Sequence, residues 1–143
     1  MVQVAVVGGG AAGMRAAIRA AEKGAQVTLL EKKEKPGRKL YITGKGRCNL
    51  TNACSREEFF DHIYRNGRFL RSSFSRFGNR EMMDYMEGLG VKLVTERGRR
   101  VFPASNLSAE IRDALRLAMD RNGVKQLYNN QVLRLDIRYG AVC

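Results

Sequence analysis

The chain has 143 residues, of which 44% are hydrophobic and 28% charged, and its formal net charge is +12. That length allows one modest domain with a core of its own, and the apolar content is ordinary for a globular fold. Its apolar runs are too short to cross a bilayer and no basic region precedes the first of them, as a signal peptide would need, so we expect a cytoplasmic protein.

The opening strand signal is Val2 to Val7, which stops at a glycine cluster. Gly8, Gly10 and Gly13 form G-x-G-x-x-G, followed at once by a helical pattern of Met14, Ala17, Ile18 and Ala21 that Gly24 is placed to end. Each glycine has its own task. Gly8 allows the tight turn, Gly10 lets a pyrophosphate approach the backbone, and Gly13 lets the helix pack against the strand. Val27 to Leu30 then reads as a buried parallel strand. Glu31 closes it at about the 20-residue spacing where an acid accepts hydrogen bonds from ribose hydroxyls. The alternative is a glycine turn in some other βαβ unit.

Pro36-Gly37 marks a turn, and residues 41–52 read as a glycine-rich polar loop. Lys45 is followed by Gly46 rather than Ser or Thr, which excludes a Walker A loop. Three helical patterns follow. The first opens with a Ser55/Glu58 capping box and carries Phe59, Phe60, Ile63 and Tyr64. The second carries Phe69, Leu70, Phe74 and Phe77, and the third Met82, Met86 and Leu89, ending at Gly90. These aromatics and methionines are expected in the core. Val91 to Thr95 and Arg100 to Phe102 read as a β-hairpin. Leu107, Ile111, Ala114, Leu115 and Ala118 form one face of a helix capped near Ser105 or Asn106 and ended by Gly123. Val124 to Tyr128 and Gln131 to Ile137 are strand candidates. Tyr139-Gly140 reads as a turn, with Ala141-Val142 starting a returning strand. From this ending we expect an N-terminal portion of something longer.

Cys48, Cys54 and Cys143 are too few and too scattered for a disulfide framework. With His62 they make no zinc site, so no metal is expected. His62 reads as a helix-surface or half-buried histidine. The charge of +12 fits a nucleic-acid surface, but it also fits a ligand with two phosphates or a chain whose longer protein offsets it with an acidic remainder, and no aromatic RNA-binding signature accompanies it.

The stretch Gly37-Arg38-Lys39-Leu40-Tyr41-Ile42-Thr43-Gly44-Lys45-Gly46-Arg47-Cys48-Asn49-Leu50-Thr51-Asn52 is far more particular than its composition. Together with Gly8 to Gly13, Glu31-Lys32 and Arg100 to Ser105, it resembles the BaiN-like (YhiN-like) NAD(P)/FAD-dependent oxidoreductases, bacterial flavoproteins. The resemblance covers essentially the whole chain. It implies an α/β, Rossmann-like FAD-binding fold with a parallel sheet, a β-hairpin and a helical excursion over about 55–90, forming the incomplete N-terminal part of a larger flavoprotein. Family members are much longer, with a cap domain and a C-terminal segment that completes the FAD site.

The resemblance also implies roles residue by residue. Gly8, Gly10, Ala11, Ala12 and Gly13 would hold the FAD pyrophosphate. Glu31 would bind the adenosine ribose, with Lys32 beside it. Gly37, Arg38, Lys39, Thr43 and Gly44 would pass along the pyrophosphate and ribityl chain. Arg47, Cys48 and Asn49 would approach the flavin end, and Val132 would meet the adenine through its backbone. The residues support this independently, because Arg38, Lys39, Lys45 and Arg47 can neutralise a diphosphate and glycines permit close approach. A basic surface loop is the alternative.

The expected function is therefore that of the FAD-binding portion of a flavin-dependent oxidoreductase acting on a small molecule. NAD(P)H is a candidate electron donor, and no membrane or nucleic-acid partner is expected. No residue is assigned as a catalytic acid or base. Cys48 has no second cysteine at motif spacing and is read as lining the cofactor. Two alternatives stay open: an NAD-binding module, and a basic, non-enzymatic RNA-binding domain.

Overall fold

A computed structural model describes residues 1–138 and 141–142. In chain order its elements are β1 (Gln3–Val7), α1 (Ala11–Glu22), β2 (Gln26–Leu30), α2 (Arg38–Ile42), a short 3-10 turn (Thr43–Gly46), β3 (Thr51–Asn52), α3 (Arg56–Asp61), α4 (Gly67–Arg76), α5 (Asn79–Gly88), β4 (Leu93–Glu96), β5 (Arg100–Pro103), α6 (Ser108–Arg121), β6 (Lys125–Leu127), β7 (Ile137–Arg138) and β8 (Ala141–Val142). They fall into two compact units, Met1–Lys39 with Leu115–Cys143, and Leu40–Ala114. No helix among the described residues is long and apolar enough to cross a membrane.

The first unit is Rossmann-like. Its parallel sheet has the order β1-β2-β6, with Val4 opposite Val27, Val6 opposite Leu29, and Leu29 opposite Gln126. Parallel neighbours need a crossover, and α1 supplies the one between β1 and β2. Alanine dominates that helix and is the best helix former. Met14, Ala17 and Ile18 are buried on one face of it, together with Val27 and Leu29 from β2 and Leu115, Ala118, Met119 and Val124 further on. The helix ends as its sequence implies. Gly24 takes φ +84, and its N–H donates to the Ala21 carbonyl.

Two expectations fail here. Gln131 to Ile137 is not a strand: β6 stops at Leu127 and extended pairing resumes only at Ile137. The β-type alternation of the segment has no neighbouring strand to pair with among the described residues. The returning strand is present, with Ile137 opposite Val142, while the turn assigned to Tyr139-Gly140 lies outside the described residues. In addition, Leu107 does not join the buried face of α6, because the helix starts at Ser108 and Leu107 is exposed ahead of it.

The second unit carries an antiparallel sheet in the order β3-β5-β4, with Val94 opposite Phe102 and Thr51 opposite Val101. The hairpin read from the sequence is β4–β5, closing through Arg97–Arg99 with Gly98 at φ +74. Its third strand, β3, lies in the stretch read as loop, as does α2. Both elements are too short for a periodic signal, and the glycines around them mask it. The Ser55 hydroxyl accepts the Glu58 N–H at 3.1 Å and so caps α3. Asn79 is buried, and its side-chain amide donates to the Asn52 and Cys54 carbonyls at 2.7 and 2.8 Å, tying α5 to β3.

The helical patterns are present as α3, α4 and α5, but the aromatics divide. Phe74 stacks on Phe59 with ring centroids 4.3 Å apart and meets Phe60 edge-on at 5.3 Å. Phe69, by contrast, is 85% exposed and Tyr64 99%, and the reading of these aromatics and methionines as core is corrected: α3 and α4 bury no residue, Phe59, Phe60, Phe74, Phe77 and Met82 are half-buried, and Met86 is buried. On α4 Phe69 stands more than a third of a turn away from the face that Phe74 defines.

Candidate cofactor site

In the first unit the glycine turn is fixed from several sides. Gly8 takes φ +100, and its N–H donates to the Leu30 carbonyl at 2.8 Å. Gly9 is buried with both backbone groups used: its N–H donates to Glu31 Oε2 at 2.7 Å, and its carbonyl accepts the Gly37 N–H at 2.7 Å. A Cβ on Gly9 would lie 3.0 Å from Pro36 Cβ and 3.1 Å from Glu31 Oε2. A Cβ on Gly13 would lie 1.9 Å from the Gly8 carbonyl oxygen, so α1 approaches the turn as closely as backbone allows.

Gly10 differs from these. It is exposed, caps α1 at φ −74 and ψ 178, and a Cβ there would meet nothing within 4 Å. No side chain caps the helix. Its first N–H groups, at exposed Ala11 and Ala12, therefore lack a side-chain partner and have the positive end of the helix dipole behind them. That is the arrangement an anion such as a pyrophosphate binds, and the space beside Gly10 admits it.

Glu31 is held at every polar group. Its N–H donates to the Leu127 carbonyl, its carbonyl accepts the Asn130 N–H, and Oε1 accepts the Lys33 N–H at 2.8 Å. Oε2 holds Gly9, as above. The sequence expectation puts Glu31 at a ribose and misses the contacts by which it clamps the glycine turn. A carboxylate oxygen has more than one lone pair, so the two tasks are compatible. Lys32, Arg38 and Lys39 are exposed beside this framework, and Val132 is half-buried in the segment that follows β6. The first unit thus brings Gly8, Gly9, Gly10, Gly13, Glu31 and Gly37 into one cluster.

Replacing Glu31 by Ala should leave the buried Gly9 N–H unpaired. We expect a loss of about 1–3 kcal/mol in stability, read from urea unfolding. An unchanged midpoint would remove Glu31 from its role in the turn.

The other sequence-picked residues belong to the second unit. Thr43 donates its hydroxyl to the Leu40 carbonyl at 3.0 Å. Gly44 sits at φ +59, where a Cβ would be 2.8 Å from the Asn49 N atom and 3.1 Å from the Phe102 ring. The loop therefore curls on itself, with Lys45 and Cys48 also at positive φ. Arg47 is engaged within the unit. It pairs with Glu96 at 2.8 Å, contacts Asn106 Oδ1 at 3.3 Å, and lies 4.1 Å over the Phe102 ring. Asn49 is exposed.

Cys48 is buried, and burial pushes its thiol pKa up, partly offset by a hydrogen bond with Thr43. A raised pKa leaves the neutral thiol near neutral pH, the poor nucleophile. Cys54 is partly exposed. We expect iodoacetamide to modify Cys54 well before Cys48 in the folded chain, as peptide mass mapping would reveal. Faster labelling at Cys48 would contradict the buried loop.

Sequence reasoning did not find a cavity of about 340 Å³ in the second unit, lined by Cys54, Glu58, His62 and Arg99 among others. Glu58 and Arg99 form an ion pair. His62 ends α3, with Nδ1 donating to the Glu58 carbonyl at 2.8 Å, and of the two readings, helix-surface or half-buried, its exposure selects the first. These residues are scattered over 54–99, a separation no motif spacing would flag.

The chain matches the HI0933-like protein Rossmann domain over residues 2–142. It is 37% identical over 130 residues to the 3-dehydro-bile acid delta(4,6)-reductase of Clostridium scindens, a match covering 87% of this chain and 30% of that protein. It is 35% identical over 86 residues to the ribosomal RNA dihydrouridine synthase of Escherichia coli, covering 60% of this chain and 21% of that one. The chain thus spans about a third or less of the curated relatives it matches. The crystal structure of Thermovibrio ammonificans THI4 superposes with a TM-score of 0.64 over 99% of this chain and 44% of that one, at 14% identity, a likeness of fold alone. The glycine turn, the parallel sheet and the family match agree, and the chain belongs to the HI0933-like Rossmann domain family, the BaiN/YhiN-like flavoproteins.

Proposed function

We propose that residues 1–143 are the N-terminal FAD-binding portion of a flavin-dependent oxidoreductase, with the helices over about 55–90 as an excursion within that domain. The observation that carries this reading is the turn itself. Glu31 and Gly37 clamp Gly9, and this leaves Gly10 and the uncapped start of α1 open to a pyrophosphate. In this reading Gly8, Gly10, Ala11, Ala12 and Gly13 bind the pyrophosphate. Glu31 and Lys32 meet the ribose, and Gly37, Arg38, Lys39, Thr43 and Gly44 follow the chain toward the flavin. Arg47, Cys48 and Asn49 lie near the flavin end, and Val132 near the adenine. Bound FAD supplies hydride or electron transfer, while the protein binds and orients it. NAD(P)H serves as electron donor and a small molecule as substrate.

Titrating the full-length protein that contains this chain with FAD and following flavin fluorescence tests this. Saturable binding that NAD does not displace is the expected result. Binding of NAD without FAD would replace the reading with an NAD-binding module.

A second reading gives the same flavin an RNA substrate. The relative named ribosomal RNA dihydrouridine synthase favours it, as does the net charge of +12. A gel shift with single-stranded RNA at physiological salt separates the two readings.

A further inference from the structure

We propose that the outward face of α4, with the residues just ahead of it, is a docking surface for single-stranded RNA. The proposal rests on the second reading above and gives it a location.

Between Tyr64 and Arg80 the sequence holds Arg65, Arg68, Arg71, Arg76 and Arg80 and no Asp or Glu. Among the described residues, Arg65, Arg68 and Arg76 make no ion pair, and all three are exposed. Arg80 lies near an acid: the Glu81 carboxyl's pKa is lowered first by hydrogen bonds from the Glu81 and Gly78 N–H groups and then by the charges of Arg56 and Arg80. Arginines elsewhere do pair, as Arg56 with Glu81, Arg99 with Glu58 and Arg47 with Glu96. A stretch with this much uncompensated positive charge is complementary to a polyanion.

Charge alone would not choose the polyanion; the aromatics do. Phe74 packs against Phe59 and Phe60 and so fixes the inner face of α4. Arg68, Ser72 and Arg76, spaced one helical turn apart, then share the outer face, with Phe69 beside them. Phe69 is 85% exposed and Tyr64, three residues before the helix, 99%. A single exposed aromatic is unremarkable on a protein surface. Two within one uncompensated arginine stretch match the combination that binds single strands, in which cations track phosphates and rings stack on unpaired bases. A bilayer would need a continuous apolar face, and here serines and arginines interrupt it. In sequence these aromatics look like core residues, so no RNA-binding signature is legible there; their exposure supplies it.

The test uses the whole chain and a fluorescein-labelled 12-nucleotide single-stranded RNA, with anisotropy read across a salt series. Far-UV circular dichroism checks that each variant is folded. Phe69→Ala should weaken binding roughly 5- to 150-fold, whereas Phe69→Trp should retain it. Arg65→Ala/Arg68→Ala/Arg76→Ala should lower the slope of log affinity against log salt by about 2, at about 0.7 per phosphate contact on single strands. RNA binding that neither set of substitutions changes would overturn the surface and leave the second reading intact. No RNA binding by the unaltered chain at physiological salt would overturn both. Uptake onto vesicles of phosphatidylcholine with phosphatidylglycerol, in place of RNA, would assign the surface to a membrane and overturn the proposal.

Discussion

Replacing Gly13 by alanine should unfold the first unit or bring it close to unfolding. The added methyl would lie 1.9 Å from the Gly8 carbonyl oxygen, 3.1 Å from the Gly8 carbonyl carbon and 3.5 Å from Val6 Cγ1. The first two are backbone atoms, so no side-chain rotation relieves them. Gly8 cannot swing away easily either, because it turns at φ +100 with its N–H bonded to Leu30. Relief therefore requires α1 to move off the turn, and with it the buried contacts of Met14, Ala17 and Ile18. Overpacking by a methylene ordinarily costs 1–3 kcal/mol. With no soft neighbour, we expect about 3 kcal/mol or more, a large share of the roughly 5–15 kcal/mol a domain has. Urea unfolding with circular dichroism detection would measure it. A Gly13→Ala variant as stable as the parent chain would mean that the helix does not pack on the turn at this distance.

That contact was legible in the sequence because its cause is local. The third glycine of G-x-G-x-x-G is needed wherever a helix leaves a strand so closely, and Gly8, Gly24 and Gly98 likewise adopt the positive φ their turn positions imply. The β4–β5 hairpin and the six-residue α3 were legible for similar reasons, since a turn residue or a capping hydroxyl marks each one. Legibility failed where a residue's fate depends on distant partners. Nothing near Gln131 to Asp136 in sequence says whether a strand lies alongside, and the segment stays unpaired. Phe69 and Phe74 share one helix and one residue type, yet only Phe74 meets Phe59 and Phe60. Arg47 reads as a diphosphate cation until Glu96, remote in sequence, is found beside it. Glu31 reads as a ribose acceptor, and its clamp on Gly9 is not legible, because that bond links residues that only the βαβ crossover brings together.

The opposite behaviour is expected three residues earlier. Gly10→Val should leave the chain folded and remove most of its FAD affinity. Gly10 has φ −74 and ψ 178, an extended conformation that valine adopts readily, and its Cβ would meet no protein atom within 4 Å. Folding therefore has little to lose, unlike at Gly13. The space a valine side chain enters is the one that the proposed pyrophosphate occupies, in front of the N–H groups of Ala11 and Ala12. Blocking two charge-assisted hydrogen bonds there, at roughly 1.5 kcal/mol each, would cost about 3 kcal/mol, or roughly 100-fold in Kd. Thermal melts of the parent and the variant, each with and without excess FAD, separate the two effects. Without FAD the midpoints should coincide. With FAD only the parent should rise, because a ligand stabilises the state it binds in proportion to ln(1 + [L]/Kd). A variant whose midpoint rises with FAD as far as the parent's would place the cofactor somewhere other than the start of α1. A variant that melts low even without FAD would mean that the space beside Gly10 is structural rather than reserved for a ligand.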